Sequence, residues 1–298
     1  MLRWRIISGT TVVAILCMIC WIDFHFNFQR PGLWLLPLGM VICFLATAEF
    51  VSLVSVSGIG IPLWVACLGV FLVMICPVLP ILQHGYQAEL HEFRLEWFVH
   101  GLLIAFVLAL CRGMKEFREP GSAVLSIGLT LLAMVYVGML GCFLTGLRTF
   151  QGNERGMLAL VSMIVVVKTS DIGAYAFGHL FGRRRLAPRL SPGKTIEGAC
   201  GGCLTGCLAS GLMFNVMAPL LVPEFHVVPL LNWVAYGLLL SLAGLLGDLS
   251  ESLMKRDFKK KDSSTWLPGL GGVLDMVDSV VFAAPAAYLF WYFGLLTH

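Results

Sequence analysis

Residues 252–278 read SLMKRDFKKKDSSTWLPGLGGVLDMVD, and the segments around them, 231–254 and 276–296, are strongly apolar. Five Lys/Arg and four Asp are gathered in 252–278, in a chain that is only 12% charged. An apolar run, a charged Gly-rich turn and a second apolar run read as two membrane spans joined at the membrane surface. A helix needs about 20 apolar residues to cross a bilayer. Working outward, further apolar segments lie near 6–26, 33–56, 61–83, 97–111, 121–146, 157–181 and 196–220. With the two flanking the quoted stretch they make nine, of which 97–111 is the shortest. The whole chain is 58% apolar, against about 45–50% for soluble domains. That composition excludes a soluble globular protein. The expected fold class is all-α: a polytopic integral membrane protein of about nine transmembrane helices.

Positive charge sets the expected orientation. With the N-terminus cytoplasmic, fifteen Lys/Arg fall on inside segments and four, Arg30, Arg94, Arg148 and Arg155, on outside ones. The first apolar run follows Met-Leu-Arg-Trp-Arg, and Trp21, Asp23 and Phe24 stand near its end where a signal-cleavage site would need small residues. It is read as a retained helix. The expected organisation is residues 1–155, five spans with little chemistry, and 156–298, four spans with two cytoplasmic motif loops. The expected location is the cell (inner) membrane, multi-pass, with the active site on the cytoplasmic face.

Ten cysteines are present, nine of them within apolar segments, where thiols act as small apolar side chains. The series from Gly198 to Gly211 reads as a small-residue helix face suited to close packing. In the first half one polar residue stands out. Glu49 is a lone carboxylate in the second segment, costly unless it meets a protein partner or sits near an interface. His25, His84, His91 and His100 are scattered near span ends and are not read as metal ligands.

The chemistry lies after Val167. Lys168 and Asp171 are i,i+3 on one span, with Tyr175 one turn further on the same face. Ser191-Pro-Gly-Lys-Thr195 reads as a turn before a helix start, offering two hydroxyls, a cation and close backbone approach to a phosphate. It lacks the spacing of a Walker A loop. Asp248, Ser252 and Lys255 are spaced i, i+4, i+7 on one face, with Glu251 beside them. Asp275 and Asp278 open the last span. Carboxylates with no thiolate or His pair point to Mg²⁺ or Mn²⁺ rather than Zn²⁺.

The order Ser252, Lys255, Arg256, Lys261, Asp262, Pro268, Gly271, Gly272, Asp275, Asp278 resembles the signature of the phosphatidate cytidylyltransferase (CDP-diacylglycerol synthase) family. Asp171-Ile-Gly-Ala-Tyr175 and Ser191-Pro-Gly-Lys-Thr-Ile-Glu-Gly198 resemble its upstream motifs. Two positions depart from the family pattern: Leu270 stands where His is usual, and Met276 where Arg is usual. The resemblance implies cytidylyl transfer from CTP to phosphatidate, giving CDP-diacylglycerol and pyrophosphate. On that reading Asp248, Asp275 and Asp278 hold Mg²⁺ or Mn²⁺, with a second cation left open. Lys255, Arg256, Asp171 and Ser252 are catalytic. Ser191, Lys194, Thr195, Lys261, Asp262, Gly271 and Gly272 bind substrate. The expected partners are CTP, phosphatidate and the bilayer, with no nucleic acid; a homodimer is left open. Rival readings are an isoprenoid-lipid cytidylyltransferase or kinase, a secondary transporter using Lys168, Asp171 and Asp248, and a scaffold without catalysis.

Overall fold

A computed structural model describes residues 2–79, 95–117, 120–222, 225–260, 263–264 and 271–296. Lys261, Asp262 and Leu270 lie outside the described residues. The described chain is almost entirely helical: α1 Leu2–His25, α2 Leu35–Ser55, α3 Leu63–Ile75, α4 Leu95–Glu116, α5 Ala123–Arg148, α6 Asn153–Phe181, α7 Ile196–Leu221, α8 Leu230–Asp257 and α9 Val273–Tyr292. Helices α5 and α7 each contain one π-helical stretch, Met134–Met139 and Met213–Met217. Seven of the described helices are long and apolar enough to cross a membrane, and α1 and α3 contribute shorter apolar stretches, Gly9–His25 and Leu63–Val78. The all-α polytopic class therefore holds. Among the described residues the one sheet is a two-stranded hairpin between α6 and α7, with strands β1 Arg185–Ala187 and β2 Ser191–Thr195.

Two compact units divide the chain, and they interleave along it. The first comprises Met1–Asn153 and Asp257–Val277, the second Glu154–Arg256 and Asp278–His298. The loop between α8 and α9 thus belongs with the N-terminal helices.

In the first unit, α3 packs on α4 and α5. Gly69 leaves room for the Met134 side chain of α5, which a Cβ there would meet. Near the end of α1 the unit holds a buried ion pair, Arg148 Nε to Asp23 Oδ2 at 2.6 Å. Asp23 also accepts from the amides of Gly32, Trp34 and Leu35. Arg148 also donates to the Asn153 side chain. Every charge buried there has a partner, as a low-dielectric site requires.

In the second unit, α7 presents two unlike faces. Leu204, Leu208 and Leu212, spaced i, i+4, i+8, are exposed in the way lipid-facing residues are. The opposite face is made of glycines. A Cβ on Gly198 would meet Ala174 O at 2.7 Å, one on Gly202 would meet Ser170 O at 3.0 Å, and one on Gly206 would clash with Ser241. The small-residue face thus lets α6 and α8 approach α7 at backbone distance, since no side chain intervenes. Phe214, Tyr236 and Trp291 fill the interior, with Tyr236 bonded to Ser162 at 3.1 Å.

Candidate active site

The first site segment departs from its expected local form. Ser191–Thr195 is strand β2 rather than a turn. Its register with β1 shifts between Arg185 and Ala187. That irregularity is how a strand accommodates Pro192, which has no amide to donate, and Gly193 beside it. The hairpin is tied down at both ends. Ile196 N donates to Arg184 O at 2.9 Å. Glu197, in the first turn of α7, accepts from the amides of Arg183 and Arg184. Thr195 is the N-cap of α7 and accepts from Gly198 N at 3.1 Å. Arg256 reaches from α8 to Leu190 O at 3.3 Å.

So held, β2 directs Lys194 at α8, where its Nζ lies 2.6 Å from Asp248 Oδ2. One turn on, Glu251 is buried and pairs with Lys255 Nζ at 2.7 Å. Asp278, on α9, completes the group: oxygens of Asp248, Glu251 and Asp278 all lie within 4.8 Å of one another. Gly247 allows this convergence, since a Cβ there would meet Asp278 O at 2.5 Å. Asp278 is buried and accepts from Ser279 N at 2.5 Å.

A second polar group lies on α6 and α9. Lys168 Nζ is 3.3 Å from Asp171 Oδ2 and 3.0 Å from Ser279 Oγ. Ser279 Oγ in turn donates to Asp171 at 3.0 Å. Ser279 thus bonds the Lys168–Asp171 pair through its hydroxyl, while its amide bonds Asp278. Tyr175 is exposed and stacks on His179 at 6.2 Å. Ser252 is buried on α8.

In the first unit, the turn before α9 is equally constrained. Gly271 has φ +88°, a conformation glycine adopts without penalty. Asp275 Oδ2 accepts from Gly272 N at 2.7 Å and from Ser263 Oγ at 2.7 Å. Glu49 accepts from Ser264 Oγ (2.7 Å), Val273 N (2.9 Å), Leu274 N (2.8 Å) and Ser263 Oγ (3.2 Å).

Of the residues expected to hold a metal, Asp248 and Asp278 are brought together, and Asp275 is bonded to the Gly272 turn. Glu251 stands in the cluster. Its sequence signal was the i,i+3 spacing from Asp248 and the i,i+4 spacing to Lys255. Ser279 and the capping role of Glu49 had no such signal. Three carboxylates from two helices, with two lysines against them, suit a divalent cation and the phosphates such a cation binds. All the donors are hard oxygens.

A model of the cytidylyltransferase family matches residues 3–293. A phosphatidate cytidylyltransferase of Staphylococcus saprophyticus is 28% identical over 277 residues, 92% of this chain and 95% of that protein. One of Bacillus subtilis is 37% identical over 162 residues, 54% of this chain and 57% of that protein. An uncharacterized Escherichia coli protein, YnbB, is 39% identical over 137 residues, 46% of this chain and 43% of that protein. The aligned stretch therefore spans about half the length of the latter two.

Proposed function

The chain belongs to the cytidylyltransferase family, and from that premise we propose that it transfers the cytidylyl group of CTP to phosphatidate. The products are CDP-diacylglycerol, for phospholipid synthesis, and pyrophosphate. The observation that carries the reading is the group of Asp248, Glu251 and Asp278, with Lys194 and Lys255 bonded to two of them. It sits in a family whose relatives named above carry that activity in their names.

A phosphatidate oxygen attacks the α-phosphorus of CTP in line, and pyrophosphate leaves. The nucleophile belongs to the lipid, so no enzyme Ser or Cys need be activated. Catalysis is then positioning and charge neutralisation. Asp248, Glu251 and Asp278 would hold Mg²⁺ or Mn²⁺, whose charge offsets that of the triphosphate. Lys194 and Lys255, each on a carboxylate of that group, are placed to turn to phosphate oxygens. Arg256 holds the hairpin that carries Lys194. Ser279 orients Lys168 against Asp171. Asp275 holds the Gly272 turn. A second cation, a homodimer, acyl chains entering from the bilayer, and a cell-membrane location with the site facing the cytoplasm complete the proposal.

The test is turnover by purified full-length protein in mixed micelles, with cytidine-labelled CTP and phosphatidate. The expected result is labelled CDP-diacylglycerol that depends on Mg²⁺. Product from a polyprenyl phosphate but none from phosphatidate would overturn the substrate assignment. No product from either would overturn the enzyme reading.

A further inference from the structure

Helix α9 begins without the local cap that a helix in its position needs. The first amides of a helix have no intrahelical acceptor. An N-cap Ser, Thr, Asp or Asn normally supplies one from its own side chain. Here the residue before Val273 is Gly272, which has no side chain. Asp275, three residues on, supplies half of a capping box by accepting from Gly272 N at 2.7 Å. In place of the missing N-cap side chain, Glu49, 224 residues earlier in the chain, accepts from Val273 N at 2.9 Å. The same carboxylate also takes Leu274 N at 2.8 Å.

Three further observations bear on what this carboxylate does. Each of its oxygens already faces two donors: Oε1 has Ser264 Oγ and Val273 N, and Oε2 has Ser263 Oγ and Leu274 N. The single Ser263 proton lies closer to Asp275 than to Glu49, so Ser264 Oγ and the amides of Val273 and Leu274 are the donors Glu49 holds outright. An opening of about 200 Å³ beside it is lined by Leu45, Ala48, Glu49, Ser52 and Ser264. Finally, a Cβ on Gly272 would collide with Ser263 Oγ and Glu49 Oε2. A capping side chain at position 272 would have to displace the Ser263 hydroxyl and the Glu49 carboxylate from where they now lie.

We infer that Glu49 is a positioning residue for the reaction: it caps α9 from a distant helix and so fixes the turn that carries Asp275 and the start of the helix that carries Asp278. It touches no substrate. Ser263 links the two carboxylates, lying 2.7 Å from Asp275 Oδ2 and 3.2 Å from Glu49 Oε2. Loosening Glu49 loosens the first turn of α9 and should therefore be felt one turn on, at Asp278, as a poorly placed divalent-ion ligand. Outer-shell partners of metal ligands typically carry about 10- to 100-fold in affinity or activity.

The inference rests on the proposed reaction for its catalytic consequence but not for its metal consequence, and the test separates the two. Purified full-length wild type, Glu49→Gln, Ser264→Ala and Thr47→Ala are compared in detergent. Mn²⁺ binding without nucleotide is read by electron paramagnetic resonance, and kcat and KM are read in the turnover assay. Gln keeps the shape of Glu49 but turns one oxygen into a donor facing two donors. Ser264→Ala removes a single bond. Thr47 is buried on the same helix and donates to Cys43 O at 2.7 Å, so its loss controls for general damage to α2. The expected result is Mn²⁺ affinity about 10- to 100-fold weaker in Glu49→Gln, with kcat reduced and KM for phosphatidate within about twofold. Ser264→Ala should move the same way by less, and Thr47→Ala should not move Mn²⁺ affinity. Unchanged Mn²⁺ affinity in a folded Glu49→Gln overturns the inference. If that variant does not fold, unchanged affinity in Ser264→Ala overturns it. A wild type with no Mn²⁺ affinity overturns it as well. A wild type that binds Mn²⁺, loses it on Glu49→Gln and shows no turnover sinks the proposed reaction while leaving the positioning role in place.

Discussion

Alanine at position 247 tests whether the spacing of α8 and α9 sets the rate. Gly247 precedes Asp248, and a Cβ there would come within 2.5 Å of Asp278 O and 2.7 Å of Phe282 Cβ. A backbone oxygen cannot swing aside as a side chain can. Returning to an ordinary contact of 3.4 Å asks the helices to part by about 0.9 Å at the level of Asp248 and Asp278. Two effects oppose each other in stability: Ala favours a helix over Gly by ~1 kcal/mol, and overpacking costs ~1–3 kcal/mol. The net loss is then about 0–2 kcal/mol, from those same terms. Catalysis is less forgiving, since a misplacement of about 1 Å can cost roughly 100-fold. We expect Gly247→Ala to lower turnover about 100-fold while shifting the thermal midpoint in detergent by only a few degrees. The assay is Mg²⁺-dependent formation of CDP-diacylglycerol, with thermal unfolding of the same preparations. Gly128→Ala serves as control, because nothing lies within 4 Å of the Cβ it adds. Activity in Gly247→Ala within about threefold of wild type would refute the reasoning that this spacing limits the rate.

Three further outcomes are expected. Asp278→Asn should lower turnover by at least about 100-fold, an energy of ~2.7 kcal/mol, with recovery at high Mg²⁺ incomplete; near-normal activity at limiting Mg²⁺ would count against Asp278 as a ligand. Lys194→Met should lower kcat/KM for CTP about 10- to 100-fold, from the ~1.5–3 kcal/mol carried by a hydrogen bond to a charged group, and a loss confined to the lipid KM would reassign Lys194 to the other substrate. Arg148→Met leaves the buried Asp23 carboxylate without its cation and should cost ~3–5 kcal/mol, read as a lowered thermal midpoint; an unchanged midpoint would mean that the amides of Gly32, Trp34 and Leu35 suffice.

The helices were legible because membrane spans are written in composition. A run of apolar residues has few other stable solutions, and the charged turn at 255–262 marks where two runs separate. The i,i+3 pair Lys168–Asp171 was legible for a similar reason, since helix geometry alone brings such residues together. Strand β2 was not. Pro192 and Gly193 are turn residues by local rule, and only pairing with β1 across an irregular register makes the segment extended. Spacing also could not separate Asp275 from Asp278. One turn apart on one helix, they find different partners because the first turn of α9 has amides to satisfy and the second does not. The need of Glu49 for a partner was legible from its burial cost, but the partner lies 224 residues away in sequence. No local pattern carries that information.

The interleaving of the two units bears on how such a chain can be inherited. The signature residues from Asp257 to Val277 belong to the compact unit built by the first 153 residues. A duplication or truncation that transmits only the last half carries the recognisable motif away from the carboxylate that caps it. Such a fragment would score as a relative in a motif search and lack the part that makes the motif rigid. The same interlock constrains drift in the intact chain. A side chain at position 272 would push on both the Ser263 hydroxyl and the Glu49 carboxylate, so changes at 49, 263 and 272 should be coupled.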